Sequence, residues 1–291
     1  MSLKNLVSSL LAVALAVIAG AAFAAVPETV TVGNPGNASD TTGFGAVPYT
    51  YKVGKYEVTI EQYCEFLNAV AKTDDYELYD PRMESGETDG WGGIKREGDS
   101  GAYTYSLVTG RDKQPIGYVT WESCIRYVNW LSNGQGKGNT EKGVYEITAD
   151  GVKVPDHAAL AKGNTAKWVM TSENEWYKAA YYDPTKAGGA GYWQYPAKSD
   201  TAPAANLNSN WPTEVGKVKE SVSAYGTFDQ GGNQWEYNDQ QADGKVGLRG
   251  GSWYINDNDN YMLSGTRYDV LSAKWPHYGF RVAQVGGEAS K

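Results

Sequence analysis

Few side chains in this sequence have the type and spacing to do chemistry. In Phe228-Asp229-Gln230-Gly231-Gly232-Asn233-Gln234-Trp235-Glu236, the carboxylates of Asp229 and Glu236 bracket the main-chain carbonyls of Gly232 and Gln234. Such a run suits a hard cation, since calcium takes roughly six to eight oxygens at about 2.3–2.6 Å. The stretch 254–278, YINDNDNYMLSGTRYDVLSAKWPHY, combines rigid aromatics with adaptable hydrogen-bonding groups, the composition of a binding loop. The candidate ligand-binding residues are Trp253, Tyr254, Asn256, Asn258, Tyr261, Arg267, Trp275 and His277. Aromatics and Arg dominate binding hot spots because they bury large area with directional polar ends. The bland alternative is a loop held by its own hydrogen bonds. Two His and two Cys are too few for a three-His or Cys-rich metal centre. No Gly-x-Ser-x-Gly elbow, Walker loop or His-Glu-x-x-His occurs. His157 and His277 are read as surface or hydrogen-bonded residues. The acid pairs Asp74-Asp75 and Glu173/Glu175 are read as caps and solvated groups.

Three helices must carry these segments. Thr59 with Gln62 three residues on forms a capping box, and Ile60, Tyr63, Cys64, Leu67 and Val70 then keep to one face. A second helix from Thr120 places Trp121, Cys124, Ile125, Val128 and Leu131 on its apolar stripe. A third opens with the capping box Ser172-Glu173-Asn174-Glu175. Cys64 and Cys124 lie on apolar stripes, so they are small buried hydrophobes or a helix-to-helix disulfide. Expected strands are short: Tyr51–Val53, Tyr56–Val58, Lys167–Met170, Lys245–Arg249 and Phe280–Ala283. Between them run the Gly/Asn/Asp-rich stretches 80–115, 184–225 and 254–278. Loops beyond ~12–15 residues are uncommon unless they bind something.

The first 24 residues read as an export leader: Lys4, an apolar run from Leu10 to Ala19, and the small-x-small site Ala22-Phe23-Ala24. The apolar run is shorter than the ~20 residues of a membrane span, and no second one follows. The expectation is an extracytoplasmic protein, periplasmic or secreted, with no membrane span after cleavage. Residues 25–48 read as a lead-in segment with room for one edge strand, 49–284 as one domain, and 285–291 as a tail. The net charge of −8 over 291 residues gives no basic face for nucleic acid, while 41% hydrophobic content suffices for a packed core.

Six stretches, in order, resemble the formylglycine-generating enzyme (sulfatase-modifying factor) family. They are Lys52-Val53-Gly54-Lys55-Tyr56-Glu57-Val58-Thr59, Pro115-Ile116-Gly117-Tyr118-Val119-Thr120-Trp121, Thr171-Ser172-Glu173-Asn174-Glu175-Trp176, Gly232-Asn233-Gln234-Trp235-Glu236-Tyr237, Arg249-Gly250-Gly251-Ser252-Trp253 and Gly279-Phe280-Arg281-Val282. The resemblance implies an α+β, C-type-lectin-like fold, loop-rich with short strands. It also implies structural calcium at Asp229, Gly232, Gln234 and Glu236. Active members of the family bind copper(I) through two cysteines, a soft-ligand site, but the corresponding positions here are Ile255 and Asn260. Copper and formylglycine formation are therefore not expected. The expected function is a binding module for a protein, peptide or glycan. Two alternatives are an enzyme with copper-independent oxidative or transfer chemistry in the same groove, and a diversified ligand-binding protein resembling the lectin-like variable proteins of diversity-generating retroelements.

Overall fold

The computed structural model describes residues 26–84, 91–254 and 257–287. The expected leader and most of the tail lie outside these residues. The strands, in chain order, are β1 (Thr29–Val32), β2 (Tyr51–Gly54), β3 (Ile94–Glu97), β4 (Thr104–Leu107), β5 (Glu146–Thr148), β6 (Gly151–Lys153), β7 (Lys167–Met170), β8 (Tyr182–Asp183), β9 (Gly191–Tyr192), β10 (Trp235–Ala242), β11 (Lys245–Arg249), β12 (Tyr268–Val270), β13 (Tyr278–Phe280) and β14 (Val282–Val285). The helices are α1 (Ile60–Val70), α2 (Trp121–Ser132), α3 (His157–Ala161) and α4 (Glu173–Tyr181). None is long and apolar enough to cross a membrane.

The three expected helices start where their caps require. Thr59 and Gln62 satisfy each other's backbone donors at α1, as do Ser172 and Glu175 at α4, and the Thr120 side chain accepts from Ser123 N at α2. The short helix α3 was not expected; Asp156 caps it by accepting from Ala158 and Ala159. One sheet runs β1-β2-β14-β7 and is antiparallel throughout. The other runs β12-β11-β10-β13, with β10 and β13 parallel. The main core joins α1, α2 and both sheets through Tyr63, Phe66, Trp121, Tyr127, Val53, Val282, Tyr237 and Phe280. Cys64 and Cys124 are free and buried, so the small-hydrophobe reading holds rather than a disulfide.

Several expectations change at this level. Residues 25–48 carry the one edge strand expected of them, and they are tied into the domain: β1 pairs along all of β2, Gly45 N donates to Asn174 Oδ1, and the buried Lys178 donates to Asn34 O. Tyr56–Val58 forms no strand; Val58 instead makes single ties, its N–H to Phe280 O and its carbonyl from Ile116 N. The expected strand Phe280–Ala283 is split into β13 and β14 by Arg281, whose side chain is drawn into the interior. Within 80–115, β3 and β4 make an antiparallel hairpin. Glu173 and Glu175 are buried rather than solvated: Glu173 pairs with Arg249 and Arg267, and Glu175 with His157. A buried carboxylate needs such partners, because an unpaired buried charge costs several kcal/mol.

Candidate functional site

The chain enters the 254–278 stretch through Gly250 and Gly251, at φ +108° and +78°. A Cβ on Gly251 would lie 3.1 Å from Tyr261 Cβ, so both backbone conformation and space call for glycine. Ser252 then donates from its N–H and hydroxyl to Asp257 Oδ2, at 2.7 and 2.8 Å. Trp253 N donates to Asn233 O, Trp253 O accepts from Ser209 and Asn210, and its indole Nε1 donates to Gln234 Oε1 at 3.1 Å. Trp253 is fully buried. It was expected on the binding surface and is instead the floor beneath it, because its indole N–H finds its partner inside the fold.

Above that floor lies a ledge of rings. Trp91 and Tyr254 both pack on Trp253, at 5.1 and 5.6 Å between centroids. His277 stacks on Tyr254 at 4.3 Å and 15°, and Trp275 lies 6.2 Å from His277. Trp275 is 49% exposed. Its carbonyl accepts from Tyr118 N, and Tyr118 sits at φ +59°, a strained conformation for a bulky side chain. Burial holds the His277 imidazole down at about 4, so the ring is neutral. Its Nδ1 is buried with no hydrogen-bond partner. The Trp91 indole donates to Asn210 O, next to Trp211, which is also 49% exposed.

The remaining predicted residues are not gathered here. Tyr261 packs with Trp235 and Tyr268 in a separate ring cluster. Arg267, expected as a binding hot spot, is spent on Glu173 and Asp269. Asn258 is exposed and accepts from Asn260 N, capping the short turn Asp259–Met262. Asn256 lies outside the described residues. Of the eight predicted residues, the fold brings Tyr254, Trp275 and His277 together over Trp253. Trp91 completes the ledge from a distant segment, and no periodicity or motif marks it. The only usable sign was that isolated tryptophans in a polar loop are candidates for an exposed platform.

The residues expected to hold calcium do not fit it. Both Glu236 oxygens are taken by Arg281, at 2.6 Å each, and Oε2 also accepts from Trp176 Nε1 at 2.7 Å. Glu236 and Arg281 are fully buried. Asp229 accepts from Gly216 N and Ser221 Oγ, while the Gly232 carbonyl accepts from Gln234 N. A divalent ion on Glu236 would share its carboxylate with a buried guanidinium in contact with it. Among the described residues, no three His, Cys, Asp or Glu side chains converge as metal ligands. The third carboxylate nearby, Glu57, accepts from Asn233 Nδ2 and leaves Oε2 buried and unpartnered. Burial, with Asp229 next, pushes the Glu57 carboxyl well above the usual range, so it is held as the neutral acid.

At the copper positions, Ile255 lies outside the described residues, and Asn260 is exposed in the turn Asp259–Met262. Cys64 and Cys124 sit on α1 and α2, and burial pushes both thiols up, Cys64 to about 11.

Two solved structures share this architecture. Treponema denticola variable protein 1 is 18% identical, with 88% of this chain and 94% of that one covered at a TM-score of 0.50. CarF is 15% identical, with 89% and 98% covered at a TM-score of 0.53. These likenesses are of fold. No curated protein sequence matches. The family model described as "Sulfatase-modifying factor enzyme 1-like domain" matches residues 27–285, so it takes in the segment before Tyr49 as well as the framework that carries the ledge. With nearly the whole described chain inside that match, the protein belongs to the sulfatase-modifying factor enzyme 1-like domain family, and its fold is the α+β, C-type-lectin-like one.

Proposed function

We propose that the protein is an exported binding module of this family, which captures a protein, peptide or glycan on the ledge formed by Trp91, Tyr254, His277 and Trp275. The observation that carries this reading is the stack itself: neutral, partly exposed rings are fixed from below by the buried Trp253. Rings held in place before binding contribute contact area with little ordering cost. The absence of cysteine at Ile255 and Asn260 speaks against copper-dependent formylglycine formation. One of the structures sharing this fold is named a variable protein.

The test is a binding screen of glycan oligosaccharides and peptides against the mature protein and a Tyr254→Ala/Trp275→Ala double variant. A ligand that loses at least tenfold in affinity in the double variant, with the melting temperature retained, supports the reading. A ligand held equally well by both proteins places recognition elsewhere. A cysteine peptide converted to formylglycine by the purified protein would reinstate the enzyme reading.

A further inference from the structure

A cavity of about 670 Å³ opens between Tyr49 and α3, and none of the ledge residues lines it. Its volume falls in the roughly 300–1,000 Å³ range of small-molecule sites. The apolar walls are the Tyr49 ring, Pro35, Pro48, Ala158 and Ala161. These walls are set before anything binds. The Tyr49 hydroxyl donates to Glu175 Oε1 at 2.8 Å, which anchors the ring. Gly36 N donates to Val47 O at 2.9 Å, and the Asn37 side chain bonds both Gly45 O and Val47 N. That clasp holds together the flanking Pro35 and Pro48. Ala158 and Ala161 lie one turn apart on α3, and their side chains are too short to fill the space. The chain leaving β14 completes the wall: Gly287 N donates to Gly163 O at 2.9 Å. Gly287 sits at φ +61°, where a Cβ would lie 2.8 Å from Ala166 N, so this closure needs glycine.

Three polar side chains join these walls: the Thr50 hydroxyl, the Asn164 amide and the Lys162 ammonium. Among the described residues, no hydrogen bond or ion pair occupies any of the three side chains. Other cavities of the fold are lined by carboxylates: Asp239 in two of them, Glu28 and Glu57 in another, and Asp74, Glu77 and Asp80 in a fourth. None of the described residues around this cavity is acidic, although the chain has 34 Asp and Glu against 26 Lys and Arg. An anion entering the others meets like charge; here the one charged group is Lys162. Lys52 and Lys167 stand opposite Gln284 and Val285, just before Gly287, and add positive charge near the same wall. The walls themselves offer apolar surface with few hydrogen-bonding groups, since proline has no N–H and alanine no polar atom on its side chain.

We infer that this cavity is a binding site for a small amphipathic carboxylate. Its apolar body lies on Tyr49, the two prolines and the two alanines, and its carboxylate is held by Lys162, with Asn164 and Thr50 as hydrogen-bond donors. A carboxylate matches this donor set because hydrogen bonds with an ionised partner are the strong ones. The same chemistry is presented by a free aryl or alkyl carboxylic acid and by the C-terminal residue of a peptide. The site is independent of the ledge and of the function proposed for it.

The experiment is calorimetric titration of the mature protein, at low ionic strength, with three probes. They are N-acetyl-L-phenylalanine, its amide, and the peptide N-acetyl-Gly-Gly-Phe ending in a free carboxylate. At least one carboxylate is expected to bind at one site per chain, about fivefold more tightly than the amide, the scale of one exposed ion pair. Tighter binding of N-acetyl-L-phenylalanine indicates a free acid; tighter binding of the peptide indicates the C-terminus of a partner chain. Lys162→Gln should remove the preference over the amide, and so should high salt. Ala158→Phe places a ring in the cavity and should abolish binding of all three probes, with the melting temperature as its control. Lys162 is exposed, so its variant keeps the test decisive if Ala158→Phe fails to fold. No binding of either carboxylate at millimolar concentration overturns the inference, as does an amide bound as tightly as the acid. A preference that survives in Lys162→Gln overturns it too. The Tyr254→Ala/Trp275→Ala variant should leave this titration unchanged; loss of binding there would place the probe on the ledge and overturn the assignment to this cavity.

Discussion

His277 lies flat on Tyr254, with ring centroids 4.3 Å apart and planes at 15°, and burial keeps its imidazole neutral down to about pH 4. The aromatic ledge is therefore uncharged over the ordinary pH range. Ligand capture on it should stay constant between about pH 5 and 8, at fixed salt, when measured by fluorescence titration. A steep loss between pH 7 and 6 would show that a charged group, and not the stack, controls binding.

Trp253 belongs to the framework. Trp253→Ala should destabilise the domain by about 3–5 kcal/mol, the usual cost of deleting a large buried side chain, read from urea unfolding. Trp275→Ala, which removes a half-exposed ring, should change stability by less than about 1 kcal/mol. Equal effects for the two would undo the division into floor and ledge.

The Glu236–Arg281 pair should dominate any electrostatic account of this fold. Glu236→Gln leaves a buried guanidinium without its counter-charge and should cost about 3–5 kcal/mol. Excess chelator should leave the melting temperature of the wild-type protein unchanged, since these side chains neutralise each other. A drop of several degrees on chelation, absent in Glu236→Gln, would show that a bound ion stabilises the native state.

The two histidines should shape stability against pH in opposite ways. Folding raises the His157 pKa well above its ordinary value, because Glu175 and Asp239 favour the charged ring over the opposing effect of burial. Its contribution is fully present below about pH 6.5 and is lost as pH rises through the elevated value. Folding lowers the His277 pKa to about 4, so between about pH 6.5 and 4 the unfolded chain binds the extra proton. Stability then falls with pH by at most about 3 kcal/mol over that window. Denaturation of His277→Phe should lack the acid-side decline, and His157→Gln should lack the alkaline one. Unchanged profiles would mean that neither ring titrates differently on folding.

What the chain determines by itself is local. The capping boxes of Thr59/Gln62 and Ser172/Glu175 form as their spacing requires, because both partners lie within one helical turn and need nothing from the rest of the fold. The apolar stripes carrying Tyr63, Cys64, Cys124 and Ile125 are likewise buried where their period puts them. The ordered motifs were enough to name the family. What the tertiary structure decided is which long-range partner each polar or aromatic group receives. Spacing alone makes Glu236 a plausible calcium ligand, but the pairing of β10 with β13 delivers Arg281 to it. Glu175 reads locally as a cap, yet α3 brings His157 against the same carboxylate. Trp253 and Trp275 look alike in the sequence, and only one has Gln234 within reach of its indole. Burial and charge pairing depend on groups tens to hundreds of residues apart, which no local pattern encodes.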